Sequence, residues 1–176
     1  MANWYQRWTA NRKENREKRT AQEASAREAQ QKEREWYWIE WEKIRAISIN
    51  EAVSRVLQES ENGKIILTRE RASDMEILNL LPETAHNFFA EVSEVYIDPT
   101  MWGIYRKDFE IESFPGYVFI GDPDEGDPIA IKYYEDGVYH PYSVDGRLNL
   151  ERPYGPSIFH EILISLLSRQ EYRETR

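Results

Sequence analysis

The stretch from Pro115 to Tyr139 alternates short apolar runs with tight acidic turns, and it constrains the fold more than any other part of the chain. Two glycine-bearing turns, GDPDEGD and YYEDG, separate the runs. Short apolar runs bounded by such turns are typical of antiparallel hairpins. The pattern predicts a three-stranded antiparallel meander whose successive strands are Tyr117–Ile120, Ile129–Ile131 and Val138–Tyr139.

Signals before and after the meander predict helices and further strands. Ser48-Ile49-Asn50-Glu51 is a capping box in which Ser48 accepts from the Glu51 amide and the Glu51 side chain reaches back, and Gly63 is placed to end that helix. The last helix, 156–169, has apolar residues at a spacing of three and four, with Ser157 or Gly155 as its cap. The other predicted elements are a strand at 64–68, a helical turn within 73–81, a helix with Pro82 at its first position, a strand at 95–97, an extended piece within 102–113 and a loop at 146–154.

The first 46 residues differ in composition from the rest. Between Trp8 and Trp36 alanine is the only apolar residue type, and Glu14–Lys18, Glu23–Arg27 and Glu28–Lys32 are acid-first pairs at i,i+4. The segment therefore predicts a long solvated helix, and the absence of an apolar heptad stripe through it argues against a coiled coil. We divide the chain into a helical extension, 1–46, and an α+β domain, 47–176, with a single mixed or antiparallel sheet of about five or six strands flanked by helices.

Aromatic residues lie only at the two ends of this helix. Near its C-terminal end, Tyr37, Trp41 and Ile44 share one face that can dock on the domain. The candidate contact residues of the extension are Trp4, Trp8 and Trp36. Three explanations remain open for them: packing on the domain or in a homodimer, contact with another protein, and attachment to a membrane surface, for which the basic character is weak.

Several of these patterns together resemble a known family. The order of a glycine–aspartate turn, an apolar triplet, a DG turn, a Val-Tyr pair and a later Ser-x-Phe helix resembles the SUKH superfamily. Leu81-Pro82 followed by Phe88-Phe89 is similar to the helix that begins the core of that family, and Ser157–Leu163 is similar to the helix that closes it. The resemblance covers residues 76–168. It implies a small intracellular binding module, either a toxin-immunity protein or a regulator of the cell-wall-regulator kind.

Composition bounds the compartment and the partner. The chain has no cysteine, no apolar leader and no apolar run of about 18 residues, so we expect a cytoplasmic protein without a membrane span. Residues 1–45 carry 11 Lys+Arg and 8 Asp+Glu, whereas residues 46–176 carry 12 and 24. A net charge of −12 on the second part disfavours nucleic-acid binding and favours a basic protein partner, although such charge also serves solubility.

No motif of catalysis or of cofactor binding is present in the sequence. His86, His140 and His160 lack metal-ligand spacing, and the two on helices, His86 and His160, are expected at a helix surface or core edge. The acidic turn starting at Asp122 fails the calcium-loop register, because its twelfth position is Tyr133. No nucleophile motif or phosphate-binding loop occurs. We therefore expect a protein that is not an enzyme and needs no cofactor or metal.

The leading hypothesis is an immunity protein that neutralises a basic polymorphic toxin, such as a nuclease, by direct binding. The alternative is a regulatory or scaffold protein that uses the N-terminal helix to recruit a partner or to dimerise, and a third is a small-molecule or peptide site in a Tyr/Trp-rich cleft. Consecutive hairpin turns lie at opposite ends of a meander, so the two acidic clusters are expected to flank the sheet. The predicted partner-binding residues are Asp122, Asp124, Glu125, Asp127, Trp102, Tyr133, Tyr134, Glu135 and Asp136.

Overall fold

The structure is a computed structural model. It describes the backbone of residues 2–73, 76–97, 102–111, 115–120, 129–144, 147–150 and 155–174. Side chains are described for residues 15–73, 76–97, 102–109, 111, 115–120, 129–140 and 155–168. The chain divides into two compact units, Met1–Glu40 and Trp41–Arg176. The fold class is α+β, as predicted, with four α-helices and nine strands among the described residues.

The N-terminal helix, α1, runs from Ala2 to Ala46, so the predicted long helix is confirmed. Its middle is exposed and is held by its own ion pairs, with 3.0 Å between Lys32 Nζ and Glu28 Oε1 and 2.9 Å between Arg19 Nε and Glu23 Oε1. Glu23 thus pairs with Arg19 and not with Arg27 as predicted. In the second unit, Ile44 packs against the core, as the apolar face of the helix predicts.

The second helix, α2 (Ile49–Glu61), begins and ends at the predicted residues. Ser48 Oγ accepts from the Glu51 amide at 3.2 Å, whereas the Glu51 carboxylate pairs with Arg55 at 2.7 Å instead of reaching back to the cap. Gly63 has a φ of +72°, and its amide donates to the Ser60 carbonyl while the Lys64 amide donates to the Glu59 carbonyl. This left-handed ending satisfies two carbonyls of the last turn and favours glycine at its turning point.

The strands form three sheets, so the expected single sheet is wrong. The first is three-stranded, β1 (Ile66–Arg69), β2 (Val92–Ile97) and β3 (Trp102–Tyr105) in that order, and both pairings are antiparallel. A four-stranded antiparallel sheet follows. The third is a two-stranded hairpin, β8 (Pro141–Val144) and β9 (Arg147–Leu150), which replaces part of the loop predicted at 146–154. A 3-10 turn at Arg106–Asp108 separates β3 from the next strand, so hydrogen bonding does not continue between the first two sheets.

The four-stranded sheet contains the predicted meander. Its order is β4 (Phe109–Glu110), β5 (Tyr117–Ile120), β6 (Ile129–Lys132) and β7 (Val138–Tyr139). Tyr117 lies opposite Lys132 and Ile120 lies opposite Ile129. The chain therefore crosses from β5 to β6 at the Ile120 end and turns into β7 at the Lys132 end, which confirms opposite ends for the two connections.

One apolar core joins the first two sheets to the helices α2, α3 (Glu83–Glu91) and α4 (Ile158–Glu174). Pro82 is the cap of α3, one position before the predicted place. From Ile158 to Leu167, every residue of α4 is buried except Ser165, which is half-buried. A helix buried on all sides must be enclosed by other elements. Rings of Phe88 and Phe159 meet edge to face at 5.1 Å between centroids.

A buried histidine fixes the start of α4. His160 is fully buried, not at a helix surface or core edge as predicted. Its Nε2 lies 3.2 Å from the Ile47 carbonyl, and its Nδ1 lies 2.7 Å from Ser157 Oγ. Because a carbonyl only accepts, Nε2 carries the proton and Ser157 donates to Nδ1. This arrangement uses neutral imidazole, and burial lowers the pKa of His160.

Replacing His160 is expected to lower the free energy of unfolding. His160→Ala leaves a cavity and an unpaired Ile47 carbonyl, for a loss of about 2–4 kcal/mol. Ser157→Ala removes a single bond and should cost roughly 1 kcal/mol. Denaturant unfolding of both variants measures the two losses, and an equal loss in both variants would contradict the anchoring role of the Ile47 bond.

Candidate functional site

The turn from β6 to β7, residues 132–137, is held by backbone bonds to three places. The Tyr133 amide donates to the Gly116 carbonyl at 2.9 Å, and the Tyr134 amide donates to the Leu80 carbonyl at 2.9 Å. The Glu135 amide closes the turn on the Lys132 carbonyl at 3.1 Å. Leu80 belongs to a 3-10 turn (Leu78–Leu80), whose Leu78 carbonyl is 3.0 Å from His86 Nδ1. The turn is therefore attached to α3 as well as to its own sheet.

Tyr134 stands at the tip of this turn in an unfavourable backbone conformation. Its φ is +63°, and no other non-glycine residue of the described chain has a positive φ. The left-handed region costs an L-residue roughly 1–2 kcal/mol. The side chain is 68 % exposed, with its ring 6.3 Å from that of Tyr133, so burial regains little. Glycine at this position would avoid the strain, so the stability of the fold does not explain the tyrosine.

The charged groups of the turn differ in their surroundings: Lys132 and Glu135 form an ion pair, whereas Asp136 is half-buried. Glu135 pairs with Lys132, and their hydrogen bond raises the pKa of Lys132. Asp136 is half-buried, and burial alone raises the pKa of its carboxyl above the ordinary 3.8. A carboxylate whose charge is disfavoured by burial costs stability at neutral pH. Tyr134 and Asp136 thus give the turn two separate costs.

An open groove of about 740 Å³ lies against the same 3-10 turn, since Leu80 is one of its lining residues. The apolar part includes Phe109 and Ile111, the latter 40 % exposed. The polar part includes Glu94, whose Oε2 accepts a hydrogen bond from Thr68 Oγ1 at 2.9 Å. The residues that line the groove are Glu70, Ser73, Glu76, Ile77, Leu80, Ser93, Glu94, Arg106, Lys107, Phe109 and Ile111.

Arg106 has a structural task in this groove. Its Nη1 donates to the carbonyls of Glu70 and Phe89, at 2.8 Å in each case. The Phe89 carbonyl is in the last turn of α3, where a cation is favoured by the helix dipole. Lys107 lies over the Tyr105 ring at 5.6 Å. Three carboxylates and two cations line the groove, so its wall can accept a basic segment with an apolar side chain.

The structure changes the set of predicted site residues. Tyr134 and Glu135 are exposed, Asp136 is half-buried, and Tyr133 packs partly against the core. Trp102 is wrong as a surface anchor, because it is 5 % exposed and belongs to the core beside Ile97. Trp36 is 41 % exposed. Outside the described side chains lie Trp4, Trp8, Asp122, Asp124, Glu125 and Asp127.

Sequence reasoning missed the groove. Its lining residues come from three separate stretches, 70–80, 93–94 and 106–111, and none of them belongs to a motif. The signal that sequence did carry is the YYEDG turn. The residue of this turn with a left-handed backbone conformation is Tyr134. Gly137, the residue type that favours this conformation, does not adopt it.

Ser157 and His160 form a serine–histidine contact, but the pair is enclosed. Their exposed fractions are 2 % and 0 %, and the second imidazole nitrogen is bound to the Ile47 carbonyl. In the described part of the chain, no three His, Cys, Asp or Glu side chains gather in a way that could hold a metal ion. Within the same residues, no helix combines the length and apolarity needed to cross a membrane.

Comparison with protein-family models, with curated proteins and with solved structures finds no match for this chain.

The conformation of Tyr134 predicts that glycine at this position does not destabilise the fold. Tyr134→Gly removes a left-handed strain of roughly 1–2 kcal/mol and adds backbone entropy worth about 0.5–1 kcal/mol. We expect the free energy of unfolding to stay level or rise by up to about 1 kcal/mol. Tyr134→Ala keeps the strain and loses the ring, so it should be less stable than Tyr134→Gly. Equal stability of the two variants would refute the strain.

Burial of Asp136 predicts that replacing this residue by asparagine stabilises the fold in a pH-dependent way. Its pKa is higher in the folded state than the ordinary 3.8, so the stability tied to its protonated form is complete below that value and is lost as pH rises through the folded pKa. Asp136→Asn should therefore be more stable than the parent chain at neutral pH. The advantage should disappear in acid below the ordinary pKa. Chemical unfolding across this range measures it, with Glu135→Gln as the exposed control.

Proposed function

We propose that this chain is a protein-binding module whose contact surface is the β6–β7 turn together with the adjoining groove. One observation carries the proposal: the turn keeps an exposed tyrosine in a strained conformation beside a carboxylate disfavoured by burial. Backbone strain concentrates at functional sites, where the surrounding fold holds it in place. An exposed tyrosine is also a frequent anchor of protein interfaces.

A basic protein is the partner that fits this surface. Residues 46–176 carry a net charge of −12, and three carboxylates line the groove next to the turn. Complementary charge raises the rate of association, and a buried aromatic anchor slows dissociation. Tyr134 would be the buried aromatic anchor, and the carboxylates of the groove would attract the basic partner during association. Binding of this kind needs neither a catalytic group nor a cofactor.

The resemblance to the SUKH superfamily favours one biological use of such binding. We propose a cytoplasmic immunity protein that occupies a basic toxin, in keeping with the absence of cysteine. The second candidate is a regulatory or scaffold protein that recruits partners through α1. The exposed fractions of Trp36 and Trp38, 41 % and 58 %, favour that candidate.

Site-specific photocross-linking tests the proposal in cells that express the chain. A benzophenone amino acid replaces Tyr134 in one sample and Ile66, a 48 % exposed residue of β1, in the control sample. We expect a basic protein to be cross-linked from position 134 and not from position 66. Cross-linking of nucleic acid, or the same products from both positions, would overturn the proposed surface.

The purified partner then allows a quantitative test. Tyr134→Gly should weaken binding by about 30-fold or more, the effect of removing an aromatic anchor, while the fold remains at least as stable. Ile66→Ala should leave the affinity unchanged. Charge reversal of Glu70 together with Glu94 should slow association and flatten its dependence on salt. Unaltered affinity in Tyr134→Gly, with unaltered association in the double variant, would remove this surface.

Toxicity of the partner separates the two biological candidates. An immunity protein restores growth when it is co-expressed with its partner, and Tyr134→Gly should abolish that rescue. A partner that is harmless on its own, and that is cross-linked through position 36 or 38, would favour the scaffold instead.

A further inference from the structure

Arg106 lines the groove from the 3-10 turn Arg106–Asp108, and the fold uses only one nitrogen of its guanidinium. That nitrogen, Nη1, donates to the carbonyls of Glu70 and Phe89, at 2.8 Å in each case. Its Nε and Nη2 make no hydrogen bond to the described residues, and neither of them is a buried atom without a partner. Two donors of a side chain that is already held in place therefore remain available to a ligand.

The available donors of Arg106 have the geometry that a carboxylate requires. Nε–H and Nη2–H lie side by side on one edge of the planar guanidinium, and together they can bind both oxygens of a carboxylate. The two carbonyl bonds of Nη1 fix the plane of the group beforehand, so little side-chain entropy is lost when a ligand binds. A lysine ammonium could also donate to those carbonyls, but it has no such edge. The structural bonds alone do not require an arginine.

An apolar surface adjoins this edge. Phe109 ends the 3-10 turn that begins with Arg106, and side chains three residues apart in such a turn lie on the same side. Both residues also meet Phe89: the ring of Phe109 is 5.1 Å from the ring of Phe89, while Arg106 bonds to the Phe89 carbonyl. Ile111, 40 % exposed, lines the same groove. A ligand can therefore place an apolar side chain next to the group that binds Arg106.

The charges of the groove restrict which carboxylate can bind there. The carboxylates of Glu70, Glu76 and Glu94 outnumber the cations of Arg106 and Lys107. A ligand with net negative charge is repelled by such a wall, so the carboxylate must belong to a chain that also carries positive charge. The C-terminal residue of a basic segment meets this condition. It carries a carboxylate and a side chain on the same carbon atom, and the basic residues before it can approach the carboxylates of the groove.

The size of the groove also favours a chain end over a folded surface. Its volume of about 740 Å³ lies within the range of roughly 300–1,000 Å³ that is usual for ligand pockets. A few residues of extended chain fill such a volume. Capture of a terminal carboxylate is one of the recurring modes of peptide recognition.

We propose that the groove binds the C-terminal tail of a basic protein. The terminal carboxylate accepts from Nε and Nη2 of Arg106, and the last side chain, which is apolar, packs against Phe109 and Ile111. Basic residues that precede it face the carboxylates of Glu70 and Glu94. This inference rests on the proposed function, because it names the part of the basic partner that enters the groove.

Calorimetric titration of the purified full chain tests the ligand chemistry with three synthetic peptides. The first is acetyl-Lys-Gly-Lys-Leu with a free C-terminal carboxylate, the second is its C-terminal amide, and the third is an amide with aspartate inserted before the leucine. We expect saturable binding of the free acid, and binding of both amides at least about tenfold weaker, the effect of losing hydrogen bonds to a charged group. Equal binding of acid and amide, or no saturable binding of the acid up to about 1 mM, would overturn the proposal. Recovery of full affinity in the aspartate peptide would assign the edge to a side-chain carboxylate and overturn the C-terminal tail.

Arg106→Lys tests the role of the arginine edge. The variant keeps the positive charge and a donor for the two carbonyls, but it should bind the free acid about tenfold more weakly than the parent chain does. The matched control is Asp108→Asn, an exposed residue of the same 3-10 turn outside the groove lining, which should leave the affinity within about twofold. Denaturant unfolding checks that both variants are folded. Equal affinity of Arg106→Lys and the parent chain would overturn the proposal, and the comparison of acid with amide decides it on the parent chain if Arg106→Lys does not fold.

Failure of this inference can be distinguished from failure of the proposed function. The titration uses only the purified chain and short peptides, whereas the cross-linking experiment reports contacts of Tyr134 with a whole protein. Cross-linking of a basic protein without peptide binding would keep the surface and remove the tail from the groove. Peptide binding without cross-linking would keep the groove as a tail site and remove the β6–β7 turn from the contact surface.

Discussion

Burial of α4 from Ile158 to Leu167 is the constraint on which the rest of the fold depends. A helix with apolar residues on every side has no face for solvent, so it must be enclosed. The helices α2 and α3 and strands of the first two sheets share its core. This explains how sheets whose described strands do not pair with one another still form one unit. The buried His160 then fixes the start of α4 to the Ile47 carbonyl at the entry of α2.

That core supports the strain in the β6–β7 turn. Ile131 and Val138 face each other on the strands that flank the turn, and both are fully buried. Bonds to Gly116 and Leu80 hold the turn on either side of Tyr134. A conformation that costs roughly 1–2 kcal/mol persists only where the surroundings determine it this fully. Under the proposed function, the same rigidity would hold Tyr134 in place for a partner, because little ordering would remain to be done on binding.

Local signals account for the parts of the fold that the sequence predicts. The meander, the capped helix α2 and the terminal helix each follow from periodicity and turn residues within a short window. The division into separate sheets does not, because the 3-10 turn at Arg106–Asp108 is fixed by long-range bonds from Arg106 to Glu70 and Phe89. Burial of Trp102 is equally non-local, and so is the groove, whose lining comes from three separate stretches of the chain. At the turn, the sequence predicted the residues but not the strain.

The helix α1 is stabilised by local interactions, whereas the second unit is stabilised by an apolar core. Helix propensity and i,i+4 ion pairs, each worth about 0.2–0.5 kcal/mol, can hold a helix of this length without a core. A helix made for solubility alone would need no tryptophan, yet five of the six tryptophans lie in its sequence. Because Ile44 already packs against the core, tertiary docking accounts for the last turns of α1 but not for Trp36 or Ile39. Exposure of those two side chains is unfavourable, and exposed apolar patches mark interaction surfaces, which supports the proposed scaffold role of α1.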